Sequence, residues 1–125
     1  MASKRVLVID DSNTIRRSAE IFLKQGGHEV MLAEDGFDAL AKVNDAQPDL
    51  IFCDILMPRL DGYQTCAIIK RNPQFASVPV IMLSSKDGLF DKARGRMVGS
   101  EDYLTKPFTK DQLLQAVQQH GRVEA

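Results

Sequence analysis

Short apolar runs alternate with longer amphipathic stretches along the whole chain, and this alternation constrains the fold more than any other feature of the sequence. The apolar runs predict strands at Arg5–Ile9, Glu29–Ala33, Leu50–Cys53, Pro79–Leu83 and Asp102–Thr105. The amphipathic stretches predict helices at Ser12–Gln25, Phe37–Ala46, Gly62–Arg71, Leu89–Val98 and Lys110–His120. The first run, RVLVI, is continuously apolar after its arginine, which is typical of a strand that is covered on both faces.

The resulting order of elements, (βα)5, predicts an α/β fold in which a parallel sheet lies between two layers of helices. Five strands in a chain of 125 residues fit the flavodoxin-like strand order 2-1-3-4-5, a three-layer sandwich. Because no linker, repeat or low-complexity tract interrupts the pattern, we expect a single domain over residues 1–125.

Composition argues against several classes of function. A net charge of -1 does not predict the basic face that binds nucleic acid, and no apolar run approaches the ~20 residues of a membrane span. The first strand begins at Arg5, which leaves no room for a signal peptide. Cys53 and Cys66 form no CxxC motif and are interpreted as apolar core residues, while His28 and His120 are expected at the surface or at helix ends. We therefore expect a cytoplasmic protein that binds neither nucleic acid nor membrane.

Polar residues follow four of the five predicted strands. In a parallel sheet of this order, the binding site lies outside the carboxyl ends of the strands, where the strand order reverses. Taken alone, an Asp in such a position is usually a helix cap, a Ser is usually a turn residue, and a Lys is usually a surface residue. Several such residues together on one rim, the edge of the sheet at the carboxyl ends of its strands, are the stronger signal. The rim residues are Asp10, Asp11, Asp54, Ser84, Ser85, Lys106 and Pro107.

Electrostatics predicts what this rim would bind. Three carboxylates about 5 Å apart repel one another by roughly 3 kcal/mol per pair at an effective dielectric constant of about 20. Summed over the three pairs, this repulsion approaches the whole stability of a small domain, ~5–15 kcal/mol. One lysine cannot offset it. Either a carboxyl group stays protonated or a divalent cation binds. Oxygen donors without nearby His or Cys favour Mg²⁺.

A magnesium ion, a lysine and an exposed carboxylate together are typical of phosphoryl transfer. Asp54 is the candidate nucleophile, because it stands alone on its strand whereas Asp10 and Asp11 act as a pair. Pro58 would fix the loop after Asp54 so that its backbone can face the metal.

The motifs VLVIDDS, DILMPRLDGY, VIMLSSKD and YLTKPF resemble the receiver domain of bacterial two-component response regulators, the CheY-like family, over essentially the entire chain. The resemblance implies that Asp54 is the phosphoacceptor and that Asp11 binds magnesium directly. It implies that Asp10 binds the ion through water or from outside the coordination sphere, and that the backbone carbonyl of Leu56 completes the protein ligands.

The same resemblance assigns the remaining rim residues. Ser84 and Lys106 would contact the phosphoryl group and assist catalysis. Ser84 and Tyr103 would form the conformational switch, and the Lys106–Pro107 peptide bond would be cis.

The resemblance also implies partners. A histidine kinase would donate the phosphoryl group, and a downstream protein would dock on the face made by the fourth helix, fifth strand and fifth helix. Longer stretches, including DDSNTIRR and PRLDGYQTCAIIKRN, look like the single-domain regulators of type IV pilus twitching motility or related chemotaxis-like systems. The receiver pattern takes up nearly the whole chain, so output is expected through docking.

Two other classes of function are weighed against this one. An aspartate-nucleophile phosphatase usually carries a second Asp two residues after the nucleophile, and here that position is Leu56. A binding module that works without phosphorylation would not need the acidic pair together with Asp54 and Lys106. We therefore expect that the protein is not an enzyme. Its only catalysis would be phosphoryl transfer onto its own Asp54 and slow autodephosphorylation.

Overall fold

The computed structural model of the chain describes residues 3–85 and 92–121. The strands within this part are β1 (Arg5–Ile9), β2 (Glu29–Ala33), β3 (Leu50–Asp54), β4 (Val80–Ser84) and β5 (Asp102–Thr105). The helices are α1 (Asn13–Gln25), α2 (Gly36–Ala46), α3 (Gly62–Arg71), α4 (Lys92–Met97) and α5 (Lys110–His120). All neighbouring strands are parallel in the order β2-β1-β3-β4-β5, which confirms the predicted flavodoxin-like topology.

The element boundaries differ from the predicted ones by a residue or so, and helix capping explains one of the differences. Helix α1 begins after Ser12 rather than at it, because the Ser12 hydroxyl accepts a hydrogen bond from the backbone N–H of Ile15 (3.3 Å). Strands β3 and β4 each extend one residue beyond the prediction, to Asp54 and Ser84. The predicted start of the fourth helix, Leu89, lies outside the described residues.

The core lies in two layers, one on each face of the sheet. Alternate residues of β1, β3 and β4 pack toward α2 and α3 on one face, and the others toward α1 and α5 on the opposite face. All of β3 and β4, and β1 after Arg5, are buried, as expected of strands that helices cover on both faces.

Both cysteines are buried in the core as free thiols, as the sequence predicts. Burial raises the pKa of Cys53 well above its usual value and raises that of Cys66 to about 12. Both side chains therefore stay protonated at neutral pH and act as small apolar groups.

His28, expected at the surface or at a helix end, lies just beyond the end of α1 and is buried rather than at the surface. A turn through Gly27 (φ 85°) returns the chain so that the His28 backbone N–H donates to the carbonyl of Leu23 (3.1 Å). The buried His28 ring accepts a hydrogen bond at Nδ1 from the backbone N–H of Lys4 (3.1 Å). Burial and the charge of Lys4 lower the pKa of His28, which makes it a neutral structural residue.

The register of the sheet places the polar residues of the rim side by side. Ile9 is paired with Cys53, so Asp10 lies next to Asp54 at the point where the strand order reverses. Asp54 is paired with Leu83, and Ser84 with Thr105. The carboxyl ends of β1, β3, β4 and β5 therefore lie side by side along the rim, and Lys106 directly follows β5.

Candidate functional site

Three carboxylates meet at the carboxyl ends of β1 and β3. Oxygens of Asp10, Asp11 and Asp54 all lie within 4.8 Å of one another, so this group could hold a metal ion. Asp10 and Asp54 are buried, whereas Asp11 is exposed. Asp10 is fixed at both ends: its backbone N–H donates to the carbonyl of Ala33 (3.1 Å), and its Oδ1 accepts from the N–H of Ser12 (2.9 Å).

Lys106 supplies the cation that reaches this cluster from β5. Its Nζ donates to Oδ1 of Asp54 (3.0 Å) and to Oδ2 of Asp10 (3.3 Å). Burial lowers the pKa of Lys106, but the hydrogen bond to Asp54 and the negative charges of both carboxylates outweigh that effect, and the net pKa is raised. The lysine is therefore a fixed positive charge between two buried acids.

One lysine does not neutralise the cluster. Burial, followed by the charge of Asp10, raises the pKa of Asp54 to about 7, although Lys106 acts in the opposite direction. Burial also raises the pKa of Asp10. A further cation beside these oxygens would stabilise their ionised forms, so the donor set fits a hard metal ion.

The cluster opens into a small cavity of about 130 Å³. Asp54 and Lys106 line it together with Asp11, and Ser84 and Leu56 form part of its wall. Ile55, Leu83 and Ser85 complete the lining. The residues that line the cavity therefore carry one ammonium group, two hydroxyl groups and two carboxylates.

The loop between β3 and α3 places Leu56 at the cavity. At the base of this loop, the backbone N–H of Gly62 donates to the carbonyl of Ile55 (2.8 Å). A Cβ atom at Gly62 would overlap the carbonyl oxygen of Asp54 and crowd the Cα of Ile55, so this close approach requires glycine. Asp61 then starts α3 through a reciprocal capping box with Gln64.

The two predicted switch residues lie in different places. Ser84 is buried at the end of β4, lines the cavity and donates its hydroxyl to the carbonyl of Ser85 (3.2 Å). Tyr103 lies outside this cavity, half-buried on β5, where Nζ of Lys92 is 5.5 Å from the centre of its ring. The Lys106–Pro107 peptide bond, next to the site lysine, is cis.

Sequence reasoning missed two arginines near the site. Nη1 of Arg16 donates to the backbone carbonyl of Asp10 (2.6 Å), and Nη2 of Arg59 contacts Oδ2 of Asp35 (2.7 Å). Neither position carries a spacing signal, because each contact depends on how a helix or loop returns to the rim. Arg59 has a positive φ of 69°. A glycine or asparagine at this position would have indicated such a backbone conformation, but an arginine does not.

Comparison with known proteins identifies the family. Residues 6–118 match the family model described as the response regulator receiver domain. The chain belongs to this family. The receiver is 67% identical to protein PilG of Pseudomonas aeruginosa over 116 residues, which are 93% of this chain and 86% of PilG. It is 36% identical to protein PilH of the same organism, over 90% of this chain and 93% of PilH.

Solved structures agree with this assignment. The chemotaxis protein CheY4 of Vibrio cholerae superposes with a TM-score of 0.90 at 34% identity, over 95% of this chain and 99% of CheY4. Receiver domains are phosphorylated by histidine kinases and dock onto protein targets, so this protein is a response regulator of a phosphorelay. The phosphatase alternative finds no support in these comparisons. Within residues 3–85 and 92–121, no helix has the length and apolar character needed to cross a bilayer.

Proposed function

We propose that this receiver accepts one phosphoryl group on Asp54 from a histidine kinase and, in that state, docks onto a downstream protein. The observation that carries the proposal is the Lys106 ammonium, which bridges two buried carboxylates at the wall of a cavity of about 130 Å³. A purely structural ion pair would not require a third carboxylate within 4.8 Å or an opening to solvent.

Magnesium is the proposed metal because all donors are oxygens. Asp11 and Asp54 would bind it directly with the backbone carbonyl of Leu56, and Asp10 would bind through water or from outside the coordination sphere. When bound, Mg²⁺ would neutralise negative charge on the carboxylates and on the transferring phosphoryl oxygens.

The residues of the chain would carry the transfer as follows. An ionised oxygen of Asp54 attacks the phosphorus, so that a new O–P bond forms as the P–N bond of the donor phosphohistidine breaks. The imidazole nitrogen keeps the electron pair of that bond. Lys106 would move from its bridging position to meet the phosphoryl oxygens, and the Ser84 hydroxyl would donate to one of them.

The proposed output is docking on the face made by α4, β5 and α5 of a single receiver domain that spans residues 1–125 and acts in the cytoplasm. The identity of 67% with PilG and the motifs of twitching-motility regulators support a role in type IV pilus motility or a chemotaxis-like system. The half-buried Tyr103, which Lys92 covers on this face, is the residue through which docking would be switched.

Phosphorylation can be tested with acetyl phosphate and magnesium, followed by intact-mass analysis. We expect one added phosphoryl group in the wild type, none in Asp54→Asn, and none when the metal is chelated. Asp45→Asn is the matched control, because Asp45 is an exposed carboxylate on α2, and this variant should be labelled normally. Undiminished labelling of Asp54→Asn would show that another residue is the acceptor.

A further inference from the structure

The loop after β3 contains a strained turn centred on Arg59. The backbone N–H of Leu60 donates to the carbonyl of Pro58 (2.8 Å), which closes a γ-turn around Arg59, whose φ is 69°. A γ-turn with a positive central φ is rare, and a side chain at that position is disfavoured by steric contact with its own backbone. Strain of this kind persists when surrounding contacts hold it, and it concentrates at functional sites.

The side chain of Arg59 supplies such contacts by reaching the start of α2. Its Nη2 lies 2.7 Å from Oδ2 of Asp35, and its guanidinium carbon lies 5.3 Å from the centre of the Phe37 ring. Asp35 is itself fixed, because its other oxygen accepts from the N–H of Asp38 (2.7 Å) as the N-cap of α2. The tip of the loop is therefore linked to the N-terminus of α2.

This anchor lies on the same short loop as Leu56. The loop is closed at its base by the hydrogen bond from Gly62 to Ile55 (2.8 Å) and held at its tip by Arg59. Leu56 lies between these two points and lines the cavity beside Asp54. Releasing the tip would allow the backbone at Leu56 to move relative to the carboxylates.

We propose that Arg59 is a positioning residue: by holding the γ-turn against Asp35 and Phe37, it fixes the backbone of Leu56 beside Asp54 and so sets the affinity for magnesium. The proposal rests on the magnesium site of the proposed function. The positive charge of Arg59 allows positioning to be distinguished from a purely electrostatic effect. Arg59 is a cation, so its removal should strengthen the binding of Mg²⁺ if only charge mattered. Weaker binding after removal would therefore report lost positioning.

Magnesium affinity of the unphosphorylated protein, measured by titration of backbone amide NMR shifts and by calorimetry, is the direct test. We expect Arg59→Met to weaken binding roughly tenfold, the scale reported for residues that orient metal ligands without touching the metal. Lys42→Met is the matched control, since it removes the same charge and breaks a comparable ion pair of α2, that with Asp38 (3.0 Å). This control should bind magnesium at least as tightly as the wild type.

Two further variants separate positioning from general stability. Arg59→Gly relieves the strain at positive φ but removes the anchor, so it should remain as stable as the wild type while binding magnesium more weakly. Asp35→Asn keeps the helix cap and removes the ion pair, and the double variant Arg59→Met/Asp35→Asn should bind no more weakly than Arg59→Met alone.

The outcomes are distinguishable. Weaker binding in both Arg59 variants with an unaffected Lys42→Met supports the inference. Wild-type affinity in Arg59→Met, or an equal loss in Lys42→Met, would overturn it while leaving the magnesium site intact. A wild-type protein that binds no magnesium would overturn the proposed function as well.

Discussion

At the scale of single residues, Asp54 shows how a functional group can oppose the stability of its fold. It ends a strand that is buried on all sides, and its pKa is raised to about 7 because burial and Asp10 disfavour its charge. The hydrogen bond from Lys106 (3.0 Å) offsets only part of this cost. The cluster is therefore better suited to bind a cation than to stabilise the metal-free protein.

The pH dependence of stability follows from this pKa. The folded-state pKa of Asp54, about 7, lies above the unfolded value, so the folded protein binds more protons between the two. The contribution of Asp54 to stability should therefore fall as pH rises from about 4 to about 7 and stay low above that range. Asn cannot ionise, so Asp54→Asn should raise the free energy of unfolding by about 1–3 kcal/mol near pH 8 without magnesium.

Urea denaturation across this pH range measures the effect, with Asp45→Asn as the exposed control. The gain from Asp54→Asn should shrink toward about pH 4, and magnesium should stabilise the wild type more than the variant. A variant no more stable than the wild type near pH 8 would show that the ionised Asp54 is not a burden on the fold.

At the scale of elements, the connection from β3 to α3 ties the site to the sheet. The loop is closed where Gly62 donates to Ile55, and α3 begins directly after it at the Asp61 cap. A Cβ at Gly62 would meet the backbone of Asp54 and Ile55, and neither can move without shifting β3. The glycine therefore sets the distance between the helix start and the candidate phosphoacceptor.

Gly62→Ala should accordingly damage both stability and the site. We expect a loss of about 1–3 kcal/mol from overpacking, together with slower labelling by acetyl phosphate. Gly27→Ala is the matched control: its Cβ meets open space, but its φ of 85° is strained for alanine, and it lies away from the rim. This control should lose stability without slower labelling of the folded protein. Equal labelling rates in both variants would argue against the role of Gly62.

At the scale of the whole molecule, the site and the proposed docking face are connected through β4 and β5. Ser84 lines the cavity and is paired in register with Thr105, two residues after Tyr103. Tyr103 packs against the core from β5 and lies beneath Lys92 of α4. A phosphoryl group that draws Ser84 toward it could therefore shift the population of Tyr103 conformations, provided that it contacts the two states differently.

Ser84→Ala should weaken this coupling while leaving phosphorylation of Asp54 possible. Adding the phosphoryl mimic beryllofluoride should shift the NMR signals of Tyr103 and its β5 neighbours strongly in the wild type and weakly in Ser84→Ala. Ser85→Ala is the control, because it keeps the backbone carbonyl that accepts the Ser84 hydroxyl (3.2 Å). Equal shifts in wild type and Ser84→Ala would mean that the switch runs by another route.

The sequence alone determined the fold and the position of the rim. Alternating apolar and amphipathic segments leave few topologies other than a covered parallel sheet, and in such a sheet the residues after each strand meet at one edge. Asp10, Asp11, Asp54 and Lys106 could therefore be placed together from their order in the chain. Their binding and catalytic roles remain predictions.

The tertiary structure alone decided how neighbouring residues differ. Asp10 is buried and Asp11 exposed, although the two are adjacent and identical in type. Lys106 reaches Asp10 across a separation of 96 residues, and Arg59 reaches Asp35 across 24. Burial, pKa and anchoring arise from contacts between segments distant in the chain. A local pattern in the sequence does not indicate which side chains will form such contacts.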